Sequence, residues 1–460
     1  MNMQWVHNSR RATLLCLLLL AVGCGGDGDG IENDAEEVNR QPNQWEIFEV
    51  ASINEVGTSL PYVVARPDSD GNIHIASYDA VTDTDGDSYH QIDYLVWNPD
   101  DGLISREVLL NRAAPSGVDG FDKCAQFDFT LDADELPVFI YPTEELDVEL
   151  AQREADVMIN FGGGGLWSEY TGAIGYVARN PVYTDGHATA NMSVAVDTAG
   201  DVHIAYQFFT EGMDSYNFNY PDLFYAHRTR DGLGVTLADA DYGAFEEAVD
   251  GNTYSTYGVH NSVGYFCRLL LDEEGRPVIV YAEHPEGFNG TFALKMATRD
   301  DGGTWHVETI EELQDEWTIG SISTAFYPDG ALAVAYALRS PNPEPDNGHR
   351  LKFASNQGGE WTNVIVDEST WCGTYCSLAI TSEGPPAIAY YDEQSHSYRE
   401  HRFLKYAAYN GLRWVAETVD EYEHAGRFNS LWFDETDTPY ICSYSDDDDK
   451  ILIFRLIDET

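Results

Sequence analysis

Seven times along the chain an apolar strand runs into a tight turn and is followed by a second strand of small and β-branched residues that closes on a tyrosine. The second strands are Ile73-His74-Ile75-Ala76-Ser77-Tyr78, Pro137-Val138-Phe139-Ile140-Tyr141 and Val202-His203-Ile204-Ala205-Tyr206. They continue as Pro277-Val278-Ile279-Val280-Tyr281, Leu332-Ala333-Val334-Ala335-Tyr336, Ala387-Ile388-Ala389-Tyr390 and Tyr440-Ile441-Cys442-Ser443-Tyr444. Successive tyrosines stand 63, 65, 75, 55, 54 and 54 residues apart. Each unit goes on through a third strand, such as Leu404-Lys405-Tyr406-Ala407, and a glycine turn. A fourth strand then opens with tryptophan, as in Trp305-His306-Val307-Glu308-Thr309-Ile310, Trp361-Thr362-Asn363-Val364-Ile365-Val366 and Trp414-Val415-Ala416-Glu417-Thr418-Val419. Apolar and polar residues alternate with the two-residue period of strands, and no segment has a helical period. Seven four-stranded units at a long, regular spacing predict an all-β fold, a seven-bladed β-propeller.

The two ends of the repeat complement each other. The seventh unit stops after its third strand, Ile451-Leu452-Ile453-Phe454, and lacks a tryptophan-led fourth strand. Such a strand lies ahead of the first unit, at Trp45-Glu46-Ile47-Phe48-Glu49-Val50. The N-terminal strand is therefore expected to complete the last blade, closing the ring and covering edges that would otherwise template aggregation. The propeller is expected over residues 45–460.

Residues 1–44 read differently. Arg10 and Arg11 precede a short apolar stretch, Ala12 to Val22, which is too short for a membrane span and is expected to be a signal peptide over residues 1–23. It ends in Leu20-Ala21-Val22-Gly23-Cys24, which resembles the lipobox of bacterial lipoproteins, and the resemblance implies lipidation of Cys24. Residues 24–44, rich in Gly, Asp, Glu and Asn, are expected to form a disordered tether. These expectations place the protein in the cell envelope, held to the outer membrane or cell surface through the lipid anchor only.

Charge narrows the partners. There are 25 basic residues against 79 acidic ones, a formal net charge of -54. Nucleic-acid binding needs clustered Lys and Arg to displace counterions from phosphates, so it is excluded as a function class. Seven cysteines are present. With Cys16 in the signal and Cys24 lipidated, an oxidising compartment favours a disulfide from Cys372 to either Cys376 or Cys124.

Thr298-Arg299-Asp300-Asp301-Gly302-Gly303-Thr304-Trp305 resembles the Asp-box of sialidase-type propellers, with degenerate copies at Asn356-Gln357-Gly358-Gly359-Glu360-Trp361 and Asn410-Gly411-Leu412-Arg413-Trp414. The resemblance extends as an architecture over residues 45–460 and is close in one motif. It implies a propeller whose Asp-box is structural and lies opposite the ligand face. The early Arg-Ile-Pro motif of sialidases is missing, and seven units depart from their six blades. The strands also look like those of repeat lipoproteins of Gram-negative bacteria built on Gly-x-Pro-x-Ile-Ala-Tyr.

Long connections in the first four units, such as Tyr206 to Leu223, mark the expected ligand face. Arginines are scarce in this acidic chain. Arg268 in the first strand of the fourth unit, and Arg339, Arg350, Arg399 and Arg402 in the fifth and sixth, are candidates for a carboxylate-bearing ligand, with pairing to local Asp and Glu as the other reading. Tyr391 and Asp392, just past a strand-ending tyrosine, join the candidates. Asp83, Asp85 and Asp87 around Gly86 suit Ca2+, which takes several oxygens from a curved backbone; a solvated acidic loop is the alternative. His74 and His203 occupy equivalent strand positions and are expected to pack between blades. No Ser-His-Asp or Cys-His set stands out. Two functions stay open: a binding or scaffold module for a glycan or protein ligand, and a sialidase-like glycoside hydrolase. Several arginines converging on the centre beside a Tyr-Glu pair favour the enzyme; scattered arginines with a mouth ringed by aromatics favour the binder.

Overall fold

A computed structural model describes residues 44–53, 62–82, 88–113, 127–147, 152–161, 168–170, 191–210, 220–229, 245–251, 260–286, 292–313, 318–340, 348–367, 369, 371–396, 399–420, 424–445 and 448–457. Every regular element among them is a strand, and the strands form seven four-stranded antiparallel sheets. In six sheets the strands lie in chain order. The seventh contains Ala425–Phe433, Pro439–Ser445, Lys450–Ile457 and, on its outer edge, the N-terminal strand Gln44–Ser52. Trp45 pairs with Leu456 and Phe48 with Ile453, so the N-terminal strand completes the last blade.

The core is divided seven ways, with one apolar cluster between each pair of neighbouring blades. Val64, Tyr78 and Tyr94 of blade 1 meet Phe127, Phe129 and Phe139 of blade 2. Blade 7 meets blade 1 through Tyr444, Cys442 and Ile453 against Val63, Ile73 and Ile75, which closes the ring. Such a division follows from the sequence pattern, since strands buried on both faces must be apolar on both.

The repeated residues have repeated jobs. Tyr281, Tyr336 and Tyr390 donate from their hydroxyls to Asp250, Glu311 and Asp367, each on the outermost strand of the preceding blade. Lys295, Lys352 and Lys405 sit on the same three carboxylates. These three tyrosines are therefore ties between blades, whereas Tyr444 donates to Asp449 (2.8 Å) within its own blade. The tryptophans of the fourth strands act likewise: Trp305 Nε1 donates to Glu247 (2.8 Å) and its ring meets Tyr225 edge-on. Trp45 repeats this with Glu417 (3.1 Å) and Tyr406, across the closure. His74 and His203 bond Tyr94 and Tyr225 on the adjacent strand, within the blade.

The turns between first and second strands are also alike. The opening residue (Asp68, Asp132, Asp197, Asp272, Tyr327, Thr381 or Asp434) donates its N–H to the carbonyl four residues on. In the five that open with Asp, the carboxylate accepts the backbone N–H groups two and four residues on. The fourth residue is left-handed, usually glycine, as at Gly71 (φ 82°). At the turn that resembles an Asp-box, Asp300 accepts the Thr304 N–H (2.8 Å) and bonds His306.

One expectation is corrected here. Cys372 and Cys376 are free, buried thiols, as are Cys267 and Cys442. Cys372 Sγ faces the Ser369 carbonyl (3.1 Å), while Cys376 Sγ faces Ser321 Oγ (3.2 Å) on blade 5. Nearness in sequence does not bring the two sulfurs together, because they are committed to different partners. Burial holds the Cys372 thiol up at about 12 and the Cys376 thiol at about 11. Cys124, Cys24, the expected signal and tether, and the acidic loop of Asp83, Asp85 and Asp87 lie outside the described residues.

Candidate functional site: the axial channel

The seven first strands line a central channel of about 840 Å3. Its wall follows from the sequence once the strands are aligned on the residue that opens each turn. Four residues before that point stand Val64, Asp128, Ser193, Arg268, Ser323, Ser377 and Ser430. The serines share a task. Ser193 Oγ accepts the Leu269 N–H (3.1 Å), Ser323 Oγ that of Leu378 (2.9 Å), Ser377 Oγ that of Leu431 (2.9 Å) and Ser430 Oγ that of Ala65 (3.0 Å). Each thus satisfies a donor on the inner edge of the next blade, where no strand is available to pair with it.

Val64 carries no acceptor, and Asp128 covers the gap. Asp128 Oδ1 accepts the Phe129 N–H (2.9 Å) and Oδ2 accepts the Val194 N–H (3.1 Å). It also accepts from Ser193 Oγ (3.2 Å) and pairs with Arg66 (3.2 Å). Every lone-pair direction of this carboxylate is in use. Arg268 is the other charged member of the ring. It donates to the Cys267 carbonyl (3.0 Å) and, among the described residues, pairs with no carboxylate. Its charge is felt across the channel: burial raises the Tyr62 hydroxyl, and Arg268 opposes that rise.

Two residues nearer the mouth stand Tyr62, Asn191, Phe266, Ser321, Tyr375 and Phe428. The aromatic members form a collar. Tyr62 and Phe428 lie 5.2 Å apart and Phe428 and Tyr375 4.7 Å, both in inclined contact, while Tyr62 also meets Phe127 at 5.1 Å. Phe266, Tyr375 and Phe428 are left-handed, at φ 54°, 53° and 54°. Each follows by two residues a left-handed glycine, Gly264, Gly373 or Gly426, in a strand whose register slips at that point. The glycine lets the bulge press against the preceding blade: a Cβ on Gly373 would lie 2.9 Å from Leu351 Cα. Left-handed aromatics cost about 1–3 kcal/mol each and persist only where surroundings hold them. Here side-chain amides do so, with buried Asn191 Oδ1 accepting the Phe266 N–H (2.9 Å) and half-buried Asn429 Nδ2 donating to the Tyr375 carbonyl (3.1 Å).

Arg339 stands at the rim. It ends the second strand of blade 5, is exposed, and lies over Gly320, where a Cβ would collide with its guanidinium. No described carboxylate pairs with it. Its charge reaches two half-buried imidazoles, His284 and His349, each held down at about 4 by burial first and by Arg339 second.

Of the arginines singled out in the sequence, Arg268 and Arg339 line the channel. Arg350 begins the third strand of blade 5 opposite Leu338, and Arg402 lies on the third strand of blade 6 opposite Glu393; neither lines it. Tyr391 and Asp392 are only 1% and 0% exposed. Tyr391 is packed between Tyr375 and Arg427, and Asp392 is ion-paired to Lys405 (2.6 Å). They belong to the packing between blades rather than to an open loop, because the second strand of blade 6 runs on to His396. Among the described residues no group of three His, Cys, Asp or Glu is placed to hold a metal ion. The collar went unread in the sequence, although Gly264-Tyr265-Phe266, Gly373-Thr374-Tyr375 and Gly426-Arg427-Phe428 carry its signal.

No family model and no curated protein matches the chain. Among solved structures it is similar to a family PL25 polysaccharide lyase, an ulvan lyase, bound to -[GlcA(1-4)Rha3S]-. That match has 12% identity and a TM-score of 0.55, and covers 90% of this chain and 96% of that one. It is similar to the polysaccharide lyase Uly1 at 9% identity and TM-score 0.51, covering 92% and 94%. It is also similar to the sialidase of Trypanosoma rangeli in complex with the inhibitor DANA, at 12% identity and TM-score 0.43, covering 72% of this chain and 55% of the other, about half the sialidase's length. Identities this low speak to fold alone, and the fold that the two lyases share with this chain is a β-propeller.

Proposed function

We propose that this protein is a cell-envelope binding module that holds a carboxylate-bearing glycan at the mouth of its axial channel. One observation carries the reading. Arg268 and Arg339 line the channel without a carboxylate partner among the described residues, in a chain where acidic residues outnumber basic ones by 79 to 25. Elsewhere Arg66, Arg106, Lys295, Arg299, Lys352 and Lys405 all sit on carboxylates. A guanidinium left unpaired in such surroundings suits a bidentate anionic ligand. The aromatic collar offers apolar ring faces beside it, the usual mix of a ligand site. The uronate in the ligand of the similar polysaccharide lyase agrees in chemistry.

Binding is favoured over sialidase-like hydrolysis by the state of Asp128. Glycosidic cleavage generally employs two acidic groups, or a tyrosine activated by one. Asp128 is the one carboxylate among the described residues lining the channel, and all its acceptor capacity is engaged by the fold. The test is calorimetric titration with a pectin-derived oligogalacturonate and with a neutral oligosaccharide of equal length. The uronate binds and the neutral sugar does not, and Arg268→Ala or Arg339→Ala weakens binding by about tenfold or more. Turnover abolished by a single channel substitution, with folding intact, would replace this reading by the enzyme. Attachment through Cys24 is part of the proposal: Cys24→Ser moves the protein from the membrane to the soluble fraction, and unchanged partition refutes it.

A further inference from the structure

The two guanidiniums that pair with no carboxylate among the described residues stand at different depths. Arg339 lies at the rim, over Gly320 at the start of the first strand of blade 5. Arg268 lies two residues beyond Phe266 on its strand, about 4–5 Å further in because the bulge between Tyr265 and Arg268 takes up part of the rise, behind the collar of Tyr62, Phe266, Tyr375 and Phe428. Deeper still the wall turns apolar, with Ala195, Leu270 and Trp432, and the cation at that level, Arg66, is already paired with Asp128. An anionic group entering from the mouth therefore meets Arg339, passes aromatic faces and reaches Arg268, beyond which no unpaired cation stands among the described residues.

A polymer lying across the mouth brings its charges to Arg339 and leaves Arg268 without a partner. A chain pointing down the axis serves both at once. Resting on the binding reading above, we infer that the protein recognises chain ends: the terminal acid-bearing sugar enters the channel and sets its carboxylate on Arg268, the collar gripping the ring, while the next residues of the chain pass Arg339. The channel's 840 Å3 falls within the roughly 300–1,000 Å3 of pockets that enclose small ligands. The left-handed aromatics fit this role, because strain of this kind is kept where a side chain must be aimed at a ligand.

Stoichiometry tests the inference. Oligogalacturonates of increasing length, from the dimer to long polymer, are titrated into the full protein at fixed ionic strength. End-on recognition gives a constant number of proteins per chain at every length, and an affinity that stops rising once two or three sugars are present. Proteins bound per chain growing in proportion to length overturns it and leaves lateral binding in place. Arg268→Gln and Arg339→Gln, each checked for an unchanged melting temperature, give a second readout. Both lower the affinity for the dimer by about tenfold; loss confined to Arg339→Gln again points to a ligand lying across the mouth. Absence of binding by every member of the series refutes the binding reading itself, so the two failures are distinct.

Discussion

The ring of polar side chains around the channel makes Asp128 worth more than any of its serine counterparts. Asp128→Ala strands the backbone N–H groups of Phe129 and Val194, removes the acceptor of the Ser193 hydroxyl and leaves Arg66 unpaired. Phe129 is 0% and Val194 6% exposed, so water does not reach these donors readily. Each buried unsatisfied donor costs about 1–3 kcal/mol, which puts the substitution at about 3–5 kcal/mol. Ser430→Ala strands only the Ala65 N–H, for about 1–2 kcal/mol. Urea unfolding followed by tryptophan fluorescence measures both, with an unchanged slope showing that stability alone has moved. Asp128→Ser keeps an acceptor for Val194 and loses that for Phe129, so it falls between the two. Adding Val64→Ser to Asp128→Ser supplies a hydroxyl where the ring has none and recovers about 1 kcal/mol as a coupling energy. Asp128→Ala no more harmful than Ser430→Ala, or no recovery in the double variant, refutes the account of the ring.

Three further outcomes follow from the geometry. Deleting Gln44–Ser52 uncovers Leu452, Ile453 and Phe454 and removes the Trp45 tie to Glu417, a loss above about 3 kcal/mol; a deletion variant that melts like the parent refutes closure by this strand. Burial holds His203, His284 and His349 at about 4, below the free imidazole value of 6.5, so the unfolded chain binds more protons in that interval. Stability is therefore full above pH 6.5 and falls as the pH drops toward 4, by about 1 kcal/mol per imidazole once solvent screening is allowed for; stability flat across that window contradicts the burial of these rings. Finally, a net charge of -54 repels an anionic glycan at long range while the arginines act at contact, so association accelerates as salt rises toward physiological strength; stopped-flow rates that fall with salt refute this.

Much of the scaffold was legible because repetition multiplies a weak signal. A single Ile-Ala-Tyr strand proves little, whereas seven at a long, recurring spacing fix strand type and blade count together. Trp45 could be assigned to blade 7 since it fills the place that Trp305, Trp361 and Trp414 fill in theirs. The site was legible only where charge was scarce, as at Arg268 and Arg339. Tyr391 and Asp392 were misplaced because strand ends are set by hydrogen bonding to a neighbour, here as far as His396 opposite Arg399, and composition does not report that. The collar escaped notice for a related reason. Three of its residues, Phe266, Tyr375 and Phe428, reach the channel through bulges at Gly264, Gly373 and Gly426, and a one-residue slip in register turns a side chain to the opposite face.

Closure by the N-terminal strand also governs the order in which this molecule can assemble. Glu46 and Arg455, which pair across the closing strands, are 409 residues apart in sequence. Six blades can form from neighbouring segments as soon as those segments exist, but the seventh needs a segment that precedes the other blades to wait for one that follows them. Bringing such distant ends together costs about 5 kcal/mol in loop entropy before a single bond is gained, although each blade already formed shortens the effective loop. Folding of this kind is slow and leaves two strand edges open until its last step. The strand that makes the finished ring stable is thus also the one whose late arrival sets how long the unfinished ring stays vulnerable to aggregation.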